Sequence, residues 1–117
     1  EFTMNDPTDG SFIGGCGLNG INRVNGTANL GYWVRTGWTR RGVATAATLL
    51  LAEFGIRHAG LTRIEILTAT GNRASRRVAE KAGATREGVL RNRLLVHGKL
   101  HDAVLYSVIP GDLPGAA

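Results

Sequence analysis

The sequence is poor in cysteine, long apolar runs and aromatic residues, and each scarcity excludes a class of protein. The single thiol, Cys16, cannot form an internal disulfide, and His58, His97 and His101 are spaced too widely to complete a zinc site with it. No metal is therefore expected. Cys16 itself lies in an apolar, strand-like run, which predicts a buried and unreactive thiol.

The chain also lacks a stretch of about 20 apolar residues, the length that a membrane-spanning helix needs. No secretory signal opens the sequence, so we expect a cytoplasmic protein with no membrane partner. Its 117 residues suffice for one domain but not for two, and we expect a single domain spanning residues 1–117.

The residues that are abundant are glycine and arginine. The 17 glycines follow no fixed period, which indicates many tight turns rather than a repeat. The formal net charge is +5, carried mostly by arginine, whose planar guanidinium suits contacts with phosphate. A phosphorylated cofactor and a nucleic acid both remain candidate partners on this evidence.

Hydrophobic periodicity predicts an α+β fold, a mixed sheet with a few helices packed on it. One helix is predicted over Gly42–His58, with an apolar stripe of Val43, Ala47, Leu50, Leu51 and Phe54. A second is predicted over Arg73–Ala82, with Asn72 as its cap. Strands are predicted at residues 2–4, Ser11–Leu18, Thr27–Val34, Arg63–Thr68, Thr85–Leu95 and Lys99–Ile109, with turns at Asn25-Gly26 and His97-Gly98 and a tail from Pro110.

The segment Gly15–Gly20 matches the glycine pattern of dinucleotide-binding proteins, but its context excludes that function. The pattern needs a helix directly after the strand, so that the helix N-terminus meets the pyrophosphate. Here the hairpin signal Asn25-Gly26 follows instead.

Two other segments carry the functional signal. In the first, Trp38–Ala47, a basic loop runs into a helix that begins with small residues, a combination that favours an anion at the free backbone amides. In the second, Asn72–Gly83, a helix follows a strand, which brings Asn72 and Ser75 to the end of the sheet. Each segment alone also fits a structural role, an ordinary loop with solvated arginines or a simple helix cap.

Together, and at this spacing, the segments resemble the GNAT superfamily of N-acetyltransferases, most closely its RimJ/RimL-like branch. The resemblance extends from about residue 1 to residue 109. The matching phrases are Phe12–Gly15, Leu30–Val34, Arg41–Thr45, Arg63–Glu65, Asn72–Gly83, Glu87–Arg91 and Asp102–Ser107.

The resemblance implies a GNAT-like acyl-CoA N-acyltransferase fold, with a largely antiparallel sheet of about six strands. It also implies that the strands Thr27–Val34 and Arg63–Thr68 are parallel neighbours that separate at their ends. Acetyl-CoA would be the acyl donor, and the acceptor would be a primary amine such as a protein N-terminus.

The resemblance also assigns roles to individual residues. The backbone of Val34 would bind the pantetheine arm of acetyl-CoA. The backbone amides of a five-residue segment would hold the pyrophosphate. Asn72 and Ser75 would contact the pantetheine near the thioester. The five pyrophosphate residues are Arg40, Arg41, Gly42, Val43 and Ala44.

The sequence departs from the family pattern at several positions. The phosphate loop has Thr39 where Gln or Arg is usual, and Asn29 stands where the branch often has a Glu that can act as general base. The general-acid Tyr of many members is Ala79 here, which leaves Ser75 as the catalytic candidate, as in some members of the branch. The family's first strand and helices, its N-terminal segment, have no counterpart in this sequence, so we expect an N-terminally truncated domain or an unusually short member of the family.

No ionisable residue stands out as the general base. The candidates are Glu65, His101 and Asp102, and a structural role is favoured for each. A water chain, or a residue of the family's N-terminal segment, could act as the general base instead.

Two alternative functions stay open. Asn29 and Ala79 fit a GNAT-like domain that binds acyl-CoA without catalysis. The clustered arginines also fit a nucleic-acid-binding module, although none of the seven aromatic residues is interleaved with them as a base-stacking platform requires. If the family's N-terminal segment is absent, one face of the sheet would lack cover, and we therefore further expect a homo-oligomer.

Overall fold

In the computed structural model, the described backbone covers residues 2–5, 12–34 and 42–115, and it forms one sheet with two α-helices. The elements are β1 (Phe2–Asn5), β2 (Phe12–Asn22), β3 (Thr27–Val34), α1 (Val43–Arg57), β4 (Arg63–Ala69), α2 (Arg73–Lys81), β5 (Thr85–Val96) and β6 (Lys99–Val108), followed by a 3-10 turn at Pro110–Asp112. The six strands lie in the order β1-β2-β3-β4-β6-β5. The α+β fold class and the positions of both helices are confirmed.

The parallel contact between β3 and β4 is the feature that shapes the sheet. Every other neighbouring pair of these six strands is antiparallel. The β3–β4 register begins at Thr27 opposite Arg63 and ends at Asn29 opposite Glu65, although β3 continues to Val34 and β4 to Ala69. The two strands therefore separate towards their carboxyl ends and leave a wedge-shaped opening, as the family resemblance predicts.

The main core lies between the sheet and the helices. Along β4 buried and half-buried residues alternate, as expected of a strand whose two faces meet different surroundings. α1 contacts β2, β3 and β4, while α2 contacts β4 and α1. The largest fully buried side chains are Tyr106, Leu30, Ile64, Ile66, Val104 and Thr48.

The predicted apolar stripe of α1 is partly wrong. Leu51 is buried, but Leu50 is 71% exposed and Phe54 is 48% exposed. The buried face consists mainly of smaller residues, namely Ala44, Thr48, Leu51, Ala52 and Gly55. The reason is close packing: a Cβ on Gly55 would lie 3.0 Å from the Ile64 Cδ1 atom, so the helix can approach the sheet only with small side chains on this side.

The first hairpin differs from the prediction in length. β2 was predicted to end at Leu18, but it continues to Asn22, with an irregular register between Asn19 and Asn22. The Asn22 side chain then accepts hydrogen bonds from the Val24 and Asn25 amides. These bonds stabilise the turn between β2 and β3, although the residues around it are polar.

The segment predicted as a tail is partly structural. After the turn at Pro110–Asp112, Leu113 is only 6% exposed and joins the hydrophobic core. Arg57 of α1 donates a hydrogen bond to the Pro114 carbonyl oxygen at 3.1 Å, which ties this segment to α1. A single leucine after a short turn has no periodicity, so its burial could not be predicted from pattern.

Candidate functional site

Both helices begin at the opened edge of the sheet. β3 leads towards α1 and β4 leads into α2, and the two strands are parallel neighbours, so their carboxyl ends lie at the same edge. α1 and α2 also contact each other. This topology brings the end of β3 at Val34, the start of α1 at Gly42 and the start of α2 at Asn72 to one side of the molecule.

The N-terminus of α1 is suited to binding an anion. Gly42 is the N-cap, with φ +70°, and it provides no capping side chain for the first-turn amides. The first turn contains no acidic residue, and no atom lies within 4 Å of the position that a Cβ on Gly42 would occupy. Backbone amides at such an end attract a phosphate, so the residues present fit the pyrophosphate of acetyl-CoA.

The structure describes three of the five predicted pyrophosphate residues. Gly42 is exposed, Val43 is half-buried and Ala44 is buried in the first turn of α1. Arg40 and Arg41 lie outside the described residues. Their predicted contribution to the anion site stays a prediction.

At the N-terminus of α2, Asn72 forms the cap that its sequence position predicts. Its side-chain oxygen Oδ1 accepts a hydrogen bond from the Ser75 amide at 3.0 Å. The capping role is therefore confirmed. Contact between Asn72 and the pantetheine arm stays a prediction.

Ser75 forms hydrogen bonds with Tyr32, a residue to which the sequence analysis assigned no role. The Tyr32 hydroxyl donates a hydrogen bond to the Ser75 carbonyl oxygen at 2.7 Å, and the Ser75 hydroxyl donates to the Tyr32 oxygen at 3.3 Å. Burial raises the pKa of Tyr32, and the hydrogen bond from Ser75 opposes that rise. The signal was a tyrosine within an apolar strand, because a half-buried tyrosine hydroxyl needs a polar partner.

The candidate base Glu65 belongs to a charged cluster. Its Oε2 accepts from Arg63 Nε at 2.8 Å, and Arg63 also forms a two-point contact with the Glu87 carboxylate at 2.8 and 2.6 Å. Ser107 donates to the same carboxylate at 2.6 Å. The Arg63 guanidinium, helped by Ser107, lowers the pKa of Glu87 to about 2. The cluster connects β4, β5 and β6, which supports the structural interpretation of Glu65.

Asp102 is also held by a structural contact. Its Oδ1 accepts a hydrogen bond from the Asn92 amide at 2.9 Å, where the β5–β6 register is irregular and Asn92 has φ +50°. His101 is half-buried and pairs with Leu94 across the same two strands. Both locations fit the structural roles that the sequence favoured.

Two departures from the family pattern are visible in the structure. Asn29 is the last β3 residue paired with β4, and its Nδ2 donates to the Asn19 Oδ1 at 3.3 Å. Ala79 is fully buried in α2.

Cys16 is buried as predicted, and burial raises the pKa of its thiol. Neither helix in the described part of the chain is long and apolar enough to span a membrane.

Residues 1–85 match the family profile described as "Acetyltransferase (GNAT) domain". The Bacillus subtilis (strain 168) protein named "Putative ribosomal N-acetyltransferase YdaF" is 36% identical over 107 residues, which are 92% of this chain and 58% of that protein. The chain thus spans little more than half the length of this relative.

Solved structures show the same fold. Mycobacterium smegmatis RimJ in complex with CoA-disulfide has a TM-score of 0.85 at 31% identity, over 92% of this chain and 52% of that one. The microcin C7 self-immunity acetyltransferase MccE, in complex with acetyl-CoA and AMP, has a TM-score of 0.76 at 30% identity, over 85% of this chain and 55% of that one. Both complexes contain coenzyme A or a derivative of it, and none of these likenesses favours the nucleic-acid-binding alternative.

Proposed function

Because the chain belongs to the GNAT family of acetyltransferases, in a RimJ/RimL-like branch, we propose that it transfers an acetyl group from acetyl-CoA to a primary amine. The relative YdaF is named as a putative ribosomal N-acetyltransferase. A protein N-terminus is therefore the acceptor that we propose to test first.

The observation that carries this proposal is the opening between β3 and β4 beside two helix N-termini. The pyrophosphate of acetyl-CoA would bind the amides of residues 40–44, where α1 begins without a side-chain cap. The pantetheine arm would follow the backbone at Val34, and the thioester would lie near Asn72 and Ser75.

The reaction joins the amine nitrogen to the thioester carbonyl carbon and breaks the bond from that carbon to sulfur. Holding both reactants in the opening supplies part of the rate, because it makes an encounter of two molecules effectively intramolecular. The ammonium must lose one proton to water before it attacks, and its nitrogen must lose a second to water as the amide forms, while the departing thiolate must gain one. The Ser75 hydroxyl is the proposed proton donor, a role that typically contributes about 10²–10⁴-fold in rate.

The direct test uses acetyl-CoA and a matched pair of peptides without lysine, one with a free N-terminal amine and one with that amine already acetylated. We expect release of the CoA thiol and a mass increase of one acetyl group only with the free peptide. Spermidine extends the test to small amines. Acetyl-CoA binding without transfer to any of these amines would favour the non-catalytic acyl-CoA-binding alternative.

A further inference from the structure

The contact between Tyr32 and Ser75 joins the two sides of the opening. Tyr32 lies in the part of β3 that continues beyond Asn29, the last residue paired with β4. Ser75 lies in the first turn of α2, which follows β4. The phenol therefore reaches from one separated strand to the helix that follows the other.

This contact holds Ser75 at three of its atoms, together with Asn72. The amide of Ser75 donates to Asn72, its carbonyl oxygen accepts from the Tyr32 hydroxyl, and its own hydroxyl donates to the Tyr32 oxygen. A serine hydroxyl otherwise has three staggered positions, and its hydrogen rotates freely. One tyrosine thus orients both the backbone and the hydroxyl of this serine.

From this geometry we infer that Tyr32 is the positioning residue for Ser75 in acetyl transfer, an inference that rests on the proposed function. The shorter bond, from the Tyr32 hydroxyl to the Ser75 carbonyl oxygen at 2.7 Å, fixes the phenol oxygen in place. That oxygen then accepts the Ser75 hydroxyl hydrogen at 3.3 Å, which is long for a bond between hydroxyl groups. The weak bond sets the direction of the Ser75 hydroxyl and is easily exchanged for a stronger acceptor.

In the reaction, the CoA thiolate is that stronger acceptor. The Ser75 O–H bond breaks as the S–H bond forms, and Ser75 then regains, through water, the proton that the amine nitrogen releases as the amide forms. Tyr32 keeps its own proton on the Ser75 carbonyl throughout, so it does not take part in the proton transfer itself. Without the phenol oxygen, the hydroxyl would populate other rotamers and the transfer step would slow.

The sequence offers a matched control in Tyr106. This tyrosine also connects the sheet to α2 through its hydroxyl, which donates to Glu80 Oε2 at 2.8 Å. Glu80, however, is in the last turn of α2, away from Ser75. Tyr32→Phe and Tyr106→Phe therefore each remove one phenol hydroxyl that holds the same helix, and only the first removes a contact with Ser75.

The experiment measures kcat and KM for the parent, both phenylalanine variants, Ser75→Ala and the double variant Tyr32→Phe/Ser75→Ala. We expect Tyr32→Phe to lower kcat roughly 10-fold with KM for acetyl-CoA nearly unchanged, and Ser75→Ala to lower it about 10²-fold. Tyr106→Phe should keep the parent kcat. The decisive result is that Tyr32→Phe adds nothing further in the Ser75→Ala background, because residues that act through one group are not additive.

Three outcomes would overturn the inference, and they differ from failure of the proposed function. Equal loss of kcat in Tyr32→Phe and Tyr106→Phe would show that the phenols only support α2. A Tyr32→Phe effect that persists in full without the Ser75 hydroxyl would show that it does not act through Ser75. A Ser75→Ala variant as active as the parent would leave nothing to position. A parent chain that transfers no acetyl group would instead overturn the proposed function, and this inference with it.

Discussion

Replacing Gly42 tests the proposed pyrophosphate site most directly, because two variants can differ there in charge alone. At φ +70° any side chain is strained, but Asn and Asp tolerate this conformation best. No atom lies within 4 Å of the new Cβ position, so both side chains fit. Gly42→Asn and Gly42→Asp should therefore fold alike, and the comparison between them isolates one negative charge.

The expected effect follows from electrostatics. A carboxylate about 6 Å from a single phosphate charge is repelled by roughly 0.7 kcal/mol in water and by roughly 3 kcal/mol at the effective dielectric constant near a protein surface. Since about 1.4 kcal/mol is tenfold in affinity, Gly42→Asp should bind acetyl-CoA roughly 3- to 150-fold more weakly than Gly42→Asn. Gly42→Asn should itself bind somewhat more weakly than the parent, because an asparagine cap competes for the first-turn amides.

Isothermal titration calorimetry with acetyl-CoA checks this order, and circular dichroism checks that both variants are folded. Pantetheine, which has no phosphate, provides a ligand control that all three proteins should bind equally. The difference between the two variants should also shrink as salt rises. If Gly42→Asp binds acetyl-CoA as tightly as Gly42→Asn, the pyrophosphate does not bind at the start of α1.

Four further predictions concern stability and association. Gly55→Ala should lower the free energy of unfolding by about 1–3 kcal/mol in urea titrations, because the new Cβ would lie 3.0 Å from the Ile64 Cδ1 atom. Gly111→Ala is the control and should change this free energy little, because no atom lies within 4 Å of its Cβ position. Asn72→Ala should lower it by about 1 kcal/mol through loss of the α2 cap, and should weaken acetyl-CoA binding by a similar amount; unchanged stability would contradict the capping role. The pKa of Glu87 is lowered in the folded protein to about 2, so its contribution to stability is present above pH about 4.5 and is lost as pH falls towards 2. Glu87→Gln should therefore flatten the acid limb of a profile of unfolding free energy against pH. Light scattering should show a dimer or larger species, and a monomer at high concentration would contradict the expected association.

The order and type of the elements could be predicted from the sequence because they depend on local pattern. Alternation of period two marked the strands, the change to helical spacing marked α1, and the family phrases indicated the parallel β3–β4 pair. Gly42 and Asn72 were identifiable for the same reason, since a helix start depends on the few residues around it. These local signals were sufficient to locate both helix starts at the candidate site.

Tertiary structure decided the contacts between distant segments. The sequence of α1 is apolar on most of its surface, so periodicity could not select the buried face, and the close approach at Gly55 selected the small residues instead. Tyr32 and Ser75 are 43 positions apart, and their hydrogen bonds exist only because α2 packs beside the separated end of β3. The positions of the site's backbone were thus encoded locally, whereas the partner of its proposed catalytic hydroxyl depended on how the helices pack against the sheet.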